Sequence, residues 1–292
     1  MTLEQLRIFV AVAERQHVTQ AARSLNLAQS AASHAIAALE TRHDTRLFNR
    51  VGRRVELTEA GRGLLVDARA ILAEVAHAER ALSAFGTLQR GTLAVHASQT
   101  IASYWLPRHL VAFHRAHPGI EIRLSVGNTA QVAEAVESGA VELGFVEGIV
   151  ESEHLASRPV ARDQLVLLVG PDHPWAGAPA LAPERLVESD WVLREEGSGT
   201  RSAFEQALAG HRLSMGDLRV ALALPSNEAV RAAVEAGLGA TALSASVAAA
   251  SLEAGLLRHV PFLLPERHFH VLRHRQRRSS RIGDALLATL KE

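Results

Sequence analysis

Between Thr58 and about Leu88 the chain contains no proline, and Leu64, Ala68, Ile71, Val75, Ala78, Leu82 and Phe85 recur at alternating spacings of four and three residues. That run predicts one long helix with a heptad seam, the apolar stripe along which two helices wind around each other. An ordinary amphipathic helix packed on its own domain is the alternative. The seam, however, persists for three repeats and stops at Gly86 and Gly91, where a differently patterned region begins. A dimerising linker helix over 59–90 accounts for both facts and divides the chain into 1–58, 59–90 and 91–292.

Before the linker the chain reads as short helices followed by a hairpin. Leu3, Leu6, Phe9, Val10 and Ala13 recur at helical spacing; Ala21, Ala22 and Leu25 mark a second short helix, and Ala31, Ala32, Ala35, Ile36 and Leu39 a third. The last two are joined only by Asn26-Leu27-Ala28. Short helices so closely connected, with small residues where they cross, have the form of a helix-turn-helix. Arg50, Arg53 and Arg54 flank Gly52 in the expected hairpin wing.

After Gly91 strands and helices alternate. The expected order is strand Thr92–Ala97, helix Ser103–His117, strand Ile120–Val126, helix Ala130–Ser138 and strand Leu143–Val146. It continues with strands Leu165–Val169 and Trp191–Leu193, a helix from Thr200, strand Val220–Leu224, a helix from Asn227, strand Ala240–Leu243, strand Phe269–Arg273 and helix Arg281–Leu290. Such alternation implies an α/β fold with largely parallel sheet. Two lobes, about 91–161 with 267–292 and 162–266, would enclose a cleft.

Composition narrows the function classes. The 292 residues, 48% apolar, suffice for about two domains. Positive and negative side chains balance at 31 each, so contact with a polyanion must come from local clustering. Residues 1–60 carry eight arginines against six carboxylates, an excess of only two. Cysteine is absent, which removes disulfides, thiolate metal sites and cysteine nucleophiles and fits a reducing compartment. Met1 to Gln16 is amphipathic, unlike a signal peptide, and no run reaches the ~18 uncharged apolar residues of a membrane span. A cytoplasmic protein without membrane contact is expected.

Gln20-Ala21-Ala22-Arg23-Ser24-Leu25-Asn26-Leu27-Ala28-Gln29-Ser30-Ala31-Ala32-Ser33-His34-Ala35-Ile36 through Leu39-Glu40 closely resembles the helix-turn-helix of LysR-type transcriptional regulators. The likeness continues through Leu47-Phe48-Asn49-Arg50, Arg53-Arg54-Val55 and Leu57-Thr58-Glu59-Ala60-Gly61. It implies double-stranded promoter DNA as a partner, with Thr19, Gln29, Ser30, Ser33, His34, Arg50, Arg53 and Arg54 as contacts. Physically, Gln29, Ser30, Ser33 and His34 stand near the start of the second helix of the motif, where side chains reach base edges, and the Gln29 amide can pair bidentately with adenine. The wing arginines suit phosphate or minor-groove contact. Ala28 stands where the family usually carries Ser or Thr, so this helix lacks a side-chain N-cap.

The remainder resembles the family's effector domain, a two-lobed α/β fold like periplasmic binding proteins, and especially the branch of carbon-fixation and sulfur-assimilation regulators. Carrying that likeness are Ala97-Ser98-Gln99-Thr100-Ile101, Val126-Gly127-Asn128-Thr129, Phe145-Val146-Glu147-Gly148, Leu193-Arg194-Glu195-Glu196-Gly197-Ser198-Gly199-Thr200-Arg201 and Ser226-Asn227-Glu228-Ala229. Each group sits at a strand end or before a helix, where open α/β sheets bind ligands and free N–H groups receive anions. The expected contacts of a small, anionic effector are Ser98, Gln99, Thr100, Asn128, Thr129, Glu147, Ser198, Thr200, Arg201 and Ser226. Glu147 opposes an anion unless it is protonated, turned away or paired, with Arg201 a candidate partner, so a cationic or mixed-charge effector stays open. The family further implies dimers pairing into a tetramer, with RNA polymerase as an additional partner.

Rival classes find little support. Gly197-Ser198-Gly199-Thr200 lacks the lysine of a phosphate loop and there is no nucleophile elbow, so no enzyme is expected. His109, His114 and His117 are spaced by five and three, unlike a helical zinc motif; no metal or cofactor is expected. A free solute-binding protein would need an export signal and no use for the first sixty residues.

Overall fold

In the computed structural model, the residues described are 1–51, 54–83 and 91–290. The backbone separates into a unit containing Met1–Ser83 and a larger one beyond it. In the first, α1 (Leu3–Arg15) opens on a capping box: Thr2 Oγ1 accepts from the Gln5 amide at 3.1 Å and Gln5 Oε1 from the Thr2 amide at 3.0 Å. Helices α2 (Val18–Ser24) and α3 (Gln29–Arg42) follow. Asn26 takes φ 55° between them, a left-handed conformation that Asn tolerates, and the Leu27 amide closes the turn on the Ala22 carbonyl. Ala21, Ala22 and Ala32 are buried where these helices cross, beside Phe9, Val12, Ile36 and Leu39. Their lack of bulk permits the close approach.

The hairpin pairs β1 (Phe48–Val51) antiparallel with β2 (Arg54–Leu57). Glu40 fastens it to α3 by accepting from the amides of Leu47 and Phe48 at 2.7 and 3.2 Å. Helix α4 (Glu59–Ser83) follows, its first turn held by the Thr58 hydroxyl, which accepts from the Gly61 amide. Leu64 and Ala68 pack with Leu65 and Leu72 on the helix-turn-helix core. This corrects the start of the expected seam: its first two positions pack within the chain, Ala68 buried and Leu64 partly so, because α4 runs back over α1, to which Arg69 and Glu14 also tie it at 3.1 Å. Ile71 is 38% exposed and Ala78 exposed, while the Leu82 side chain and Phe85 lie outside the described residues.

The second unit contains two lobes. In one, the sheet order is β4 (Ile120–Gly127), β3 (Gly91–Ser98), β5 (Leu143–Glu147), β11 (Glu266–His274) and the first part of β6 (Leu155–Val169). A core of Leu93, Val95, Phe145, Phe269 and Val271 lies against α5 (Leu106–Ala116) and α10 (Arg281–Thr289). The opposite face meets α6 (Thr129–Glu137) through Val132 and Val136. A π-helical turn, Ile101–Trp105, precedes α5, so helical structure begins before the expected Ser103.

In the other lobe the last part of β6 is followed by β9 (Ala240–Ser244), β7 (Asp190–Arg194) and β8 (Arg219–Leu224), with β10 (Arg258–Val260) also on β6. Trp175, Trp191 and Phe204 fill one side against α7 (Gly199–Gly210); Val192, Val230 and Val247 fill the other under α8 (Asn227–Glu235) and α9 (Ala245–Glu253). Pairing is parallel between β3 and both β4 and β5 and between β7 and both β8 and β9. The strands that cross between lobes, β6 and β11, pair antiparallel. Among the described residues no helix is long and apolar enough to cross a membrane.

Candidate functional site

On α3, Gln29, Ser30 and His34 are exposed and Ser33 half-buried, while Ala32, Ile36 and Leu39 face the core. The helix thus offers one polar face formed by positions 29, 30, 33 and 34. Ala28 provides no side-chain cap, as its sequence position implies, and Gln29 Nε2 donates to Ser33 Oγ at 2.9 Å. Two candidate base readers therefore satisfy each other. Thr19 is half-buried on α2, Arg54 is exposed on the wing, and Arg53 lies outside the described residues, as does the side chain of Arg50.

The effector candidates gather where the two lobes meet. Gln99 Oε1 accepts from the Asn227 amide at 2.8 Å, and Asn227 Nδ2 donates to Thr100 Oγ1 at 3.0 Å. Asn128 Nδ2 donates to Glu195 Oε1 at 3.2 Å, and the Ala130 amide to the Gly197 carbonyl at 3.2 Å. Gly197 has φ +82°, which glycine adopts without penalty. Gly199 opens α7 so close to the other lobe that a Cβ there would lie 2.6 Å from Thr129 Oγ1 and 2.7 Å from the Glu147 carbonyl oxygen. Only glycine fits that approach.

Ser98, Thr100, Glu147, Ser198 and Thr200 are all buried at this junction. Among the described residues the Ser98 hydroxyl has no hydrogen-bond partner. Ser226 serves as the N-cap of α8, its oxygen accepting from the Ala229 amide, whereas Ser198 at the start of α7 makes no side-chain cap bond. Arg201 turns to Glu205 at 2.9 Å and Glu196 at 3.9 Å, so the expected partnership with Glu147 is not formed. An i, i+4 carboxylate on the same helix is the nearer partner.

Two buried arginines, Arg194 and Arg267, are not among the contacts expected from the sequence. Arg267 on β11 donates through Nε to Asp163 Oδ2 on β6 at 2.7 Å, its Nη2 lies 2.6 Å from the same oxygen as an ion pair, and its Nη1 donates to Thr200 Oγ1 at 3.2 Å; the Ser244 hydroxyl donates to the other Asp163 oxygen at 2.6 Å. Arg194 pairs with Glu195 at 2.7 Å and donates through Nη1 to Asn227 Oδ1 at 2.7 Å. Burial acts to raise the Glu195 carboxyl, but Arg194 and the Asn128 amide hold it below its usual value. Both guanidiniums are thus neutralised by a carboxylate while presenting one N–H to a polar residue at the junction. A signal existed in the alternation of Arg267 with Phe269 and Val271, which puts an arginine at core parity.

Several of the histidines weighed as metal ligands have other neighbours. His109 lies on Trp105 and His117 on Phe113, with ring centroids 4.5 and 4.9 Å apart. His268 is exposed, and His270 Nδ1 meets Ser157 Oγ at 2.9 Å.

Residues 3–62 match the model of the bacterial regulatory helix-turn-helix protein, lysR family, and residues 86–292 match the LysR substrate binding domain. The uncharacterised HTH-type transcriptional regulator YeiE of Escherichia coli K12 is 36% identical over 282 residues, 96% of this chain and 94% of that protein. The RuBisCO operon transcriptional regulator of Allochromatium vinosum is 35% identical over 244 residues, 84% of this chain and 80% of its own length, in agreement with the carbon-fixation likeness of the motifs. The regulatory domain of Synechocystis PCC6803 CcmR, solved in complex with 2-PG, superposes with a TM-score of 0.63 at 28% identity, covering 69% of this chain and 96% of that one.

Proposed function

The chain belongs to the LysR family of DNA-binding transcriptional regulators with an effector-binding domain, and from that premise we propose how its parts divide the work. Residues 1–58 read a promoter through Gln29, Ser30, Ser33 and His34 on α3, with Thr19 and the wing arginines Arg50, Arg53 and Arg54 on the backbone. The helix over 59–90 joins two copies, and residues 91–292 form the sensor. The protein acts in the cytoplasm as a dimer or tetramer without catalysing a reaction.

The sensor holds a small anionic metabolite between its lobes. One observation carries this: polar side chains from both lobes gather at the end of β3 and the starts of α6, α7 and α8, and the Ser98 hydroxyl among them is buried without a partner among the described residues. Helix starts supply N–H groups and a favourable dipole for an anion. Because Arg194 and Arg267 are already matched by Glu195 and Asp163, the anion is received mainly by neutral donors. The 2-PG bound to the CcmR regulatory domain lends support by likeness.

A thermal-shift screen of small anions on the intact chain tests the assignment. An effector at ~100 times its Kd should add ~2.7 kcal/mol of stability, and Thr100→Ala should remove that gain. A confirmed effector that binds unchanged after joint replacement of Ser98, Thr100 and Thr129 places the sensing site elsewhere.

A further inference from the structure

Glu147 is 4% exposed at the end of β5, where the backbone of Gly199 from the other lobe presses on it. Its Oε2 accepts one hydrogen bond, from the Thr129 hydroxyl at a long 3.4 Å, and no cation pairs with it among the described residues. Arginines elsewhere at the junction are committed: Arg194 to Glu195, Arg201 to Glu205 and Arg267 to Asp163. With those pairs made, none of these three guanidiniums is left for Glu147. An ionised carboxylate is an acceptor with about four lone-pair sites, and burying one without donors is costly. A ligand composed only of acceptors would worsen this by bringing like charge beside it.

We infer that Glu147 determines effector specificity: the molecule that fits is a small organic acid carrying a hydrogen-bond donor, a hydroxyl or an ammonium, on the carbon beside its acidic group. This rests on the lobe junction being the effector site. The acidic group takes N–H groups of the helix starts and the unpartnered Ser98 hydroxyl, which is free to donate, while the adjacent donor satisfies Glu147. A site built around such a hydrogen bond discriminates strongly, because the analogue without the donor leaves the carboxylate buried and unmet.

The test uses the full-length protein, calorimetry and thermal shift, with two-, three- and four-carbon carboxylic acids bearing hydrogen, hydroxyl or ammonium on the carbon next to the carboxylate, and sulfate as an acceptor-only probe. A hydroxyl or ammonium member should bind at least about tenfold tighter than its hydrogen analogue, and the better of the two identifies the donor. Glu147→Gln should erase that preference, whereas Glu147→Asp, which keeps the charge, should preserve the order with weaker binding. Equal binding of the hydrogen analogues or sulfate, binding by no member of the series, or a preference that survives Glu147→Gln overturns the inference. If unsubstituted acids or sulfate bind and Thr100→Ala abolishes it, the junction stands as the effector site and only the role of Glu147 falls. Binding indifferent to both Thr100→Ala and Glu147→Gln removes both.

Discussion

The base contact proposed for Gln29 requires it to leave Ser33, since its amide nitrogen already donates to the Ser33 oxygen at 2.9 Å on an exposed surface. That exchange is cheap, because both groups are near water and the bond is neutral. Gln29→Ala should therefore cost ~1–3 kcal/mol on the best DNA site and relax one base preference, whereas Arg54→Ala should weaken every sequence and flatten the salt dependence. Selection from random DNA followed by titration at several salt concentrations separates the two; unchanged preference in Gln29→Ala would show the register to be wrong. Gly199 provides the counterpart in the sensor. An alanine methyl there would meet Thr129 Oγ1 at 2.6 Å and the Glu147 carbonyl oxygen at 2.7 Å, and a backbone oxygen cannot rotate away. Gly199→Ala should destabilise the observed lobe contact by ~1–3 kcal/mol, as overpacking does, and be read as weakened effector binding by calorimetry. Full retention of affinity would mean that this lobe approach is unnecessary for binding.

Helix α4 illustrates what periodicity can and cannot say. A single helix was readable from the spacing that begins at Leu64, and α4 follows it as far as Ser83, the end of the described stretch; which side the stripe faces depends on what lies beside it, and Leu64 and Ala68 turn onto the core of their own unit. Ile71, 38% exposed, and Val75 remain as positions for a partner helix. Ile71→Asp should abolish the dimer by placing charge in the seam, while leaving the helix-turn-helix folded; sedimentation of the variant as an intact dimer would count against a coiled coil. Strand β6 was readable only from Leu165 onward, because its first part contains Arg158, Pro159, Arg162 and Asp163, which carry no apolar alternation. That part forms because β11 lies antiparallel beside it, and a register shift between Phe269 and His270 accommodates Pro159. The sequence groups at strand ends were recognisable as Ser, Thr and Asn before helices. Their pairing across the junction, Gln99 with Asn227 or Thr200 with Arg267, joins residues far apart in the chain and follows only from the fold.

For the whole molecule, sensing and DNA binding are two equilibria of one chain, so any coupling between them must be mutual. The formal charge of the protein is zero, and a small acid alters that total little; an effector therefore cannot act on DNA simply by changing global attraction to phosphate. It must instead bind one conformation better than another, because a ligand with equal affinity for both shifts nothing. The hydrogen bonds joining the lobes, from Asn227 to Thr100 and from Asn128 to Glu195, are the contacts such a ligand would keep or exchange. If the effector changes operator affinity by some factor, saturating operator DNA must change effector affinity by the same factor, since the free energies around the cycle close. Effector titrations of the protein alone and of the protein on its selected operator should yield that common ratio, on the order of 5 to 150. Thr100→Ala and Glu147→Gln should reduce the two ratios together. An effector that alters operator affinity while its own affinity is indifferent to operator would mean that the two titrations do not describe one binding cycle, and the junction would lose its claim to control DNA.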